Sequence, residues 1–143
     1  MIKLNGVEIK LDKYPDGTFL FKNLPPIGGW CRDNIEWFFE SMEELTAVEY
    51  ITRYCWDHRV VPNLYMPYIP DARMDRVKHE NELFTLKYFA QTINSLHFGR
   101  VEVLDPHSDV SAALFNKVHV ESPNRMIEST VKRIASDNLM PDL

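Results

Sequence analysis

Hydrophobic residues recur at helical spacing in two long segments of the chain. In the first, from Asp33 or Asn34 to about His58, apolar residues follow one another at steps of three and four. This predicts an amphipathic helix with Asp33 or Asn34 as its N-cap. The second segment covers 82–98 and stops at Gly99, a residue typical of helix C-termini. The inward positions of the two helices are Ile35, Phe38, Phe39, Met42, Leu45, Val48, Ile51 and Tyr54, then Leu83, Leu86, Phe89, Ala90, Ile93 and Leu96.

Short apolar runs between turn signals predict the strands. Residues 2–11 alternate partly around Asn5-Gly6, which is typical of a hairpin. The segment 15–17, Pro-Asp-Gly, is a turn signal, because proline fixes φ and glycine accepts positive φ. Further strands are predicted at 19–21, 64–69, 101–104 and 118–120, with a helical turn at 111–115 and a last helix from about 123 to 135.

This order of elements predicts one α/β domain over residues 1–143, a three-layer sandwich with a largely parallel sheet. A hydrophobic content of 45% with 26% charged residues is ordinary for a globular protein. The net charge of −5 argues against general nucleic-acid binding, which rests on a basic surface. No apolar run approaches the roughly 20 residues that span a bilayer, and the N-terminus lacks a signal-peptide apolar region. We therefore expect a cytoplasmic protein without a membrane partner.

The cysteines and tryptophans carry no recognisable site. Cys31 and Cys55 have no metal-like spacing, and two reduced thiols are favoured over a disulfide. Trp30, Trp37 and Trp56 are assigned to the core and to interfaces rather than to a ligand cage.

Ionisable side chains follow two of the predicted strands at the point where each strand ends. The apolar run 64–69 leads into Asp71, Arg73, Asp75 and Arg76, and the strand 101–104 leads into Asp105, His107 and Asp109. Ligands bind at the carboxyl ends of strands in open α/β sheets, so one shared polar site is expected. Guanidinium groups recognise phosphate oxygens in planar, bidentate fashion. The alternatives are a surface turn in which Arg and Asp pair with each other and a purely structural His107.

Three sequence blocks, in order, resemble a known enzyme family. They are Tyr-Pro-Asp-Gly-Thr at 14–18, Ala-Arg-Met-Asp-Arg at 72–76, and Asp-Pro-His at 105–107 followed by Leu114-Phe115. Together they resemble the N-terminal half of ribose-phosphate pyrophosphokinase, also called phosphoribosyl pyrophosphate synthetase. The resemblance extends over about residues 8 to 123. It implies a phosphoribosyltransferase-like fold and a parent enzyme that transfers diphosphate from MgATP to the 1-hydroxyl of ribose 5-phosphate.

The resemblance also implies roles for individual residues. Arg73 would contact ATP, and His107 would help to hold Mg²⁺ near the ATP phosphates. Tyr14 and Asp16 would touch the adenine, often from a neighbouring subunit, which implies a homo-oligomer. The loops that bind ribose 5-phosphate and stabilise the transferring group belong to a second domain of the family. No part of this sequence matches them, so the chain alone is expected to be inactive, whether it is an excised domain or a naturally short protein.

Three of the matched positions depart from the family pattern. Met74 replaces a glutamine and cannot make the same hydrogen bonds. Thr18 replaces a glutamate, which puts one acidic contact to ATP in doubt, while Pro106 in place of a leucine is a mild change. Met74 and Thr18 favour an alternative function, a non-catalytic regulatory or assembly module of the same fold. Aromatic bulk at Trp30, Trp37 and Phe38 is consistent with self-association, although all three could equally be core residues.

Overall fold

The computed structural model describes residues 1–29 and 33–137, and it alternates strands with helices as the sequence predicts. The side chains of residues 125, 126, 136 and 137 are not described. Strand and helix bounds are β1 Ile2–Leu4, β2 Val7–Ile9, β3 Asp12–Lys13, β4 Phe19–Leu20, β5 Asn34–Trp37, α1 Glu44–Asp57, β6 Asn63–Tyr65, α2 Thr85–Ser95, β7 Val101–Leu104, α3 Asp109–Ala113, β8 Val118–Glu121 and α4 Asn124–Asp137.

Six strands form one sheet in the order β2-β1-β5-β6-β7-β8, and β3 and β4 form a separate hairpin. The run from β5 to β8 is parallel, whereas β1 pairs antiparallel with both β2 and β5. The β1–β2 turn places Asn5 and Gly6 at positive φ, 52° and 78°, as a tight hairpin requires. The α/β class and the largely parallel sheet are thus confirmed.

One face of the sheet carries the apolar core. Side chains alternate across a strand, and in β5 the buried positions are Ile35 and Trp37, both 0% exposed. Leu64 lies opposite Ile35 in the register and next to Val101 on its other side. These residues share one cluster with the buried faces of α1 and α2, whose members are Ala47, Val48, Ile51, Cys55, Leu86, Phe89, Ala90 and Ile93.

The opposite face of the sheet is polar. Glu36, Tyr65 and Glu102 lie side by side on β5, β6 and β7 and are half-buried. Burial, and then the nearby carboxylates of Glu121, Glu102 and Glu36, raise the pKa of the Tyr65 phenol. The side chains of α4 are exposed wherever they are described, so the three-layer arrangement stays a prediction.

The first predicted helix is wrong in its N-terminal part. The segment Asn34–Trp37 is the strand β5, and α1 begins only at Glu44. Asp33 caps no helix: its carboxylate accepts hydrogen bonds from the Asn5 side chain at 2.6 Å and from the Gly28 backbone at 3.0 Å. Trp37 is a core residue whose Nε1 donates to Glu44 Oε2 at 2.9 Å, so it cannot serve as an exposed interface residue.

The other predicted boundaries differ less. The second helix begins at Thr85 instead of 82, which leaves Leu83 64% exposed before it. The strand predicted at 64–69 is shorter because Pro67, which lacks an N–H, follows its end. Trp30 and Cys31 lie outside the described residues.

Two further properties of the described residues bear on earlier expectations. Cys55 is a free, buried thiol on α1, and burial, followed by the charge of Asp33, raises its pKa to about 11. Among the residues that the structure describes, no helix has both the length and the apolar character needed to cross a bilayer.

Candidate functional site

A cleft of ≈ 240 Å³ lies where β6 and β7 end. Its lining comes from the segments 67–69 and 72–73, which follow β6, and from 104–107, at the end of β7. The sequence predicted this convergence from the polar residues after both strands. The carboxyl ends of neighbouring parallel strands meet at one sheet edge, which is where open α/β sheets place ligands.

Backbone pairing brings the two loops together. Met66 N donates to Glu102 O at 2.8 Å, and Leu104 N donates to Pro67 O at 3.3 Å, so the strands stay adjacent up to the cleft. Beyond that point each of the two segments turns sharply through an aspartate at positive φ, Asp71 at 60° and Asp105 at 44°. Aspartate tolerates this left-handed conformation better than most residues because its short side chain can hydrogen-bond locally.

Arg73 is the cation of the cleft that is available to a ligand. It is exposed, and within residues 1–29 and 33–137 it makes no hydrogen bond or ion pair. Local pairing of Arg with Asp, the alternative considered from the sequence, occurs at Arg76: its Nε lies 2.8 Å from Asp75 Oδ1. His107, also exposed, lines the cleft with Arg73. A guanidinium and an imidazole from two loops thus converge on a space open to solvent.

Asp75 lies beside both loops, a position that the sequence did not reveal. Its side chain is only 7% exposed and accepts from Arg76 Nε at 2.8 Å and Arg76 Nη2 at 3.1 Å. These bonds to Arg76, and then the nearby Ser108 side chain, lower the pKa of Asp75 to about 2. Ser108 accepts from Ser111 N and so caps α3. The carboxylate is therefore bonded within the loop of Arg73 and lies close to the loop of His107.

Met74 does not line the cleft. It is half-buried, and its backbone N–H donates to Asp71 O at 2.8 Å within the tight turn that precedes Asp75. A part for Met74 in ATP binding stays a prediction.

The hairpin residues Tyr14, Asp16 and Thr18 are not among the residues that line the cleft. They close a turn on themselves: Tyr14 N donates to Thr18 O at 2.9 Å, and Gly17 N donates to Tyr14 O at 2.9 Å. Asp16 Oδ1 accepts from Thr18 Oγ1 at 2.7 Å and Thr18 N at 3.0 Å, and these bonds lower the pKa of Asp16. Tyr14 is 50% exposed. Contact of this hairpin with a nucleotide held by another subunit stays a prediction.

The residues around His107 do not form a metal site by themselves. In the described part of the chain, no group of three or more His, Cys, Asp or Glu side chains is arranged to hold an ion. Mg²⁺ prefers six oxygen ligands and commonly keeps waters while binding one or two carboxylates and substrate phosphates. Asp105, which lines the cleft with His107, could supply one such carboxylate, and a part for His107 in holding Mg²⁺ stays a prediction.

An aromatic pair adjoins Arg73 and His107 at the cleft. Tyr68 lines the cleft, is 53% exposed and stacks on Phe39, with ring centroids 5.7 Å apart and an interplanar angle of 29°. The sequence placed Phe39 inside a helix and gave Tyr68 no role. The exposed aromatic residue just after an apolar strand was the available signal.

Comparison with known proteins supports the fold. The crystal structure of phosphoribosylpyrophosphate synthetase from Mycobacterium smegmatis matches 91% of this chain with a TM-score of 0.67 and 15% sequence identity. The match covers 45% of that chain, so the protein described here spans less than half the length of its structural neighbour. No family model matches the sequence, and no curated protein matches it either. The chain therefore has the fold of one part of a phosphoribosylpyrophosphate synthetase.

Proposed function

We propose that this chain is the ATP-side domain of a ribose-phosphate diphosphokinase. The parent protein would transfer diphosphate from MgATP to ribose 5-phosphate and make phosphoribosyl pyrophosphate for nucleotide biosynthesis. One observation carries the proposal: Arg73, without a partner among the described residues, lines the same strand-end cleft as His107. Phosphoryl transfer depends mainly on positioning and charge neutralisation. Arg73 can supply positive charge to ATP phosphates, and the His107 ring can donate a hydrogen bond to them.

The size of the cleft agrees with a shared site. Pockets for small molecules typically hold about 300–1,000 Å³, and this cleft holds ≈ 240 Å³. It can enclose part of a nucleotide, and the remaining walls would come from a second domain or a second subunit. Ribose 5-phosphate would be bound by that second domain, and Mg²⁺ would arrive on the ATP phosphates beside Asp105 and His107. On this proposal the protein acts in the cytoplasm as a homo-oligomer.

Titration of the chain with MgATP tests the proposal. Arg73→Ala removes a charge-assisted hydrogen bond worth about 1.5–3 kcal/mol, so affinity should fall roughly tenfold or more. Arg53→Ala is the matched control, because Arg53 is also exposed but pairs with Glu49 on α1, outside the cleft. Calorimetry, or NMR shifts if binding is weak, measures both variants. Equal affinities of wild type and Arg73→Ala would remove Arg73 from the site.

Activity gives a second test. The chain mixed with MgATP and ribose 5-phosphate should form no phosphoribosyl pyrophosphate, because its sequence holds no match to the loops for the sugar phosphate and the transferring group. Turnover by the purified chain would contradict the assignment of this chain to the ATP side alone.

A non-catalytic assembly module is the second candidate function. Two observations favour it. The Thr18 hydroxyl donates a hydrogen bond to the Asp16 carboxylate, which is then less available to a nucleotide. Helix α4 also exposes three apolar side chains, Ile127, Val131 and Ile134, at 55%, 57% and 52%. Exposed apolar stripes of this kind mark interfaces. The module would form stable oligomers in light scattering without binding MgATP at millimolar concentration. The ATP-side domain would bind MgATP.

A further inference from the structure

The aromatic pair at the cleft is anchored to the core. Phe39, which stacks on Tyr68, also meets Trp37 edge-on, with centroids 5.8 Å apart and an interplanar angle of 66°. Trp37 in turn is fully buried and hydrogen-bonded to Glu44. The Tyr68 ring therefore rests on a chain of packed aromatic rings and not on a mobile surface side chain. More than half of it is nevertheless exposed.

The aromatic pair, Arg73 and His107 follow three neighbouring strands at one edge of the sheet. Phe39 follows β5, Tyr68 and Arg73 follow β6, and His107 follows β7, and these three strands are neighbours in the order β5-β6-β7. The lining of the cleft thus combines an aromatic ring, Tyr68, with a guanidinium, Arg73, and an imidazole, His107. A nucleotide carries the matching groups, an aromatic base and a chain of phosphates.

We infer that Tyr68 is the stacking platform for the base of the bound nucleotide, while Arg73 and His107 take its phosphates. The inference rests on the proposed function and adds to it the residue of this chain that holds the base. A fixed ring with exposed surface suits this task, because every nucleobase has a π-face and stacking on an aromatic side chain is strongly favourable. The Tyr14 hairpin, whose residues bond to one another and do not line the cleft, is not required for base binding on this inference.

Two ligands distinguish the contribution of the base to affinity from that of the phosphates. MgATP carries both, and magnesium tripolyphosphate carries only the phosphate chain. Tyr68→Leu keeps an apolar side chain but removes the ring, and it should weaken MgATP binding roughly 5- to 150-fold while leaving tripolyphosphate affinity unchanged. Tyr68→Phe keeps the ring and should bind MgATP within about twofold of wild type, since the stacking surface is retained.

Tyr88→Leu is the matched control. Tyr88 lies on α2, outside the cleft lining, and has the same 53% exposure as Tyr68. Its substitution should change neither affinity. An unchanged far-ultraviolet spectrum and melting temperature of Tyr68→Leu and Tyr88→Leu confirm that the comparison is made on folded protein.

Each outcome bears on a different claim. Tyr68→Leu that binds MgATP as wild type does, while Arg73→Ala weakens it, overturns the platform and leaves the proposed function standing. Wild-type protein that binds tripolyphosphate as tightly as MgATP also overturns the platform, because the base then contributes nothing. Failure of the wild type to bind either ligand overturns the proposed function and the platform with it.

Discussion

The strand-end cleft and the Tyr14–Thr18 hairpin each have one hydrogen-bonded aspartate nearby, but the surroundings of the two carboxylates differ. Asp16 accepts both of its hydrogen bonds from Thr18, two residues away. Asp75 accepts from its neighbour Arg76 and also lies close to Ser108, in a loop after a different strand. The hairpin is thus closed by local bonds, whereas the cleft exists only when two segments distant in the sequence have folded together.

This difference decides which matched residues can form a site within one chain. Residues of the cleft are held by the core, because the strands that carry them are buried on the helix-covered face. Hairpin residues are bonded to one another and do not belong to the cleft lining. A short sequence motif therefore predicts a site within one chain at the cleft but not at the hairpin, even though both blocks resemble the same family.

The largest expected effect is on stability, and it should differ between a core residue beside the cleft and a residue of the hairpin. Met66, fully buried just before the cleft, should cost about 2–5 kcal/mol of unfolding free energy when changed to Ala, because a cavity is left in the core. Tyr14→Ala at the exposed hairpin should stay within about 0.5 kcal/mol of wild type. Urea denaturation measures both. Equal losses would show that the hairpin is as much a part of the cooperative core as β6 is.

An intermediate effect is expected from Asp75→Asn. Because the folded-state pKa of Asp75, about 2, is below its ordinary 3.8, the charged carboxylate stabilises the fold above pH 3.8. That contribution is lost as pH falls from 3.8 to about 2, so the stability difference between wild type and Asp75→Asn should shrink over this window. Acid titration followed by circular dichroism measures it.

The same variant should also move NMR signals across the cleft. Loss of the Asp75 carboxylate should shift the amide resonances of His107 and Ser108, because the charge of the carboxylate lies close to both residues. Asp16→Asn is the control and should shift hairpin resonances only. Unchanged His107 and Ser108 signals in Asp75→Asn would mean that the Asp75 carboxylate does not lie beside that loop in solution.

The smallest effect is expected from Thr18→Val. The hydroxyl that donates to Asp16 is lost while the backbone donor remains, so the pKa of Asp16 should rise part of the way to its usual value. Carbon-detected NMR titration of the Asp16 carboxyl measures the shift, and MgATP affinity of the isolated chain should not change. A loss of affinity in this variant would place the hairpin at the nucleotide site after all.

The sequence predicted those features that depend on local pattern and on a general rule of sheets. β7 was predicted at its observed bounds because Val101–Leu104 is a short apolar run between Gly99 and Asp105-Pro106. The convergence of Arg73 and His107 followed from the carboxyl-end rule for parallel strands. Both inferences use spacing along the chain and need no knowledge of side-chain contacts.

Features that depend on tertiary packing were missed. Ile35 fits a helical step pattern with the apolar residues after it, yet its two-residue spacing to Trp37 is that of a strand. Phe39 could not be paired with Tyr68 once it was assigned to a helix. Local pairing of Asp75 with Arg76 was an alternative that the sequence offered, but the closeness of Asp75 to Ser108 could not be inferred from sequence spacing.

The buried thiol of Cys55 makes it possible to measure how often α1 leaves the core. Fully buried and with a pKa of about 11, it is nearly all in the unreactive thiol form at neutral pH and is inaccessible to alkylating reagents. It should therefore be modified only when the helix leaves the core. Peptide-resolved mass spectrometry distinguishes its labelling from that of Cys31. The labelling rate of Cys55, followed with and without MgATP, then reports how much a nucleotide bound at the sheet edge slows the opening of the whole domain.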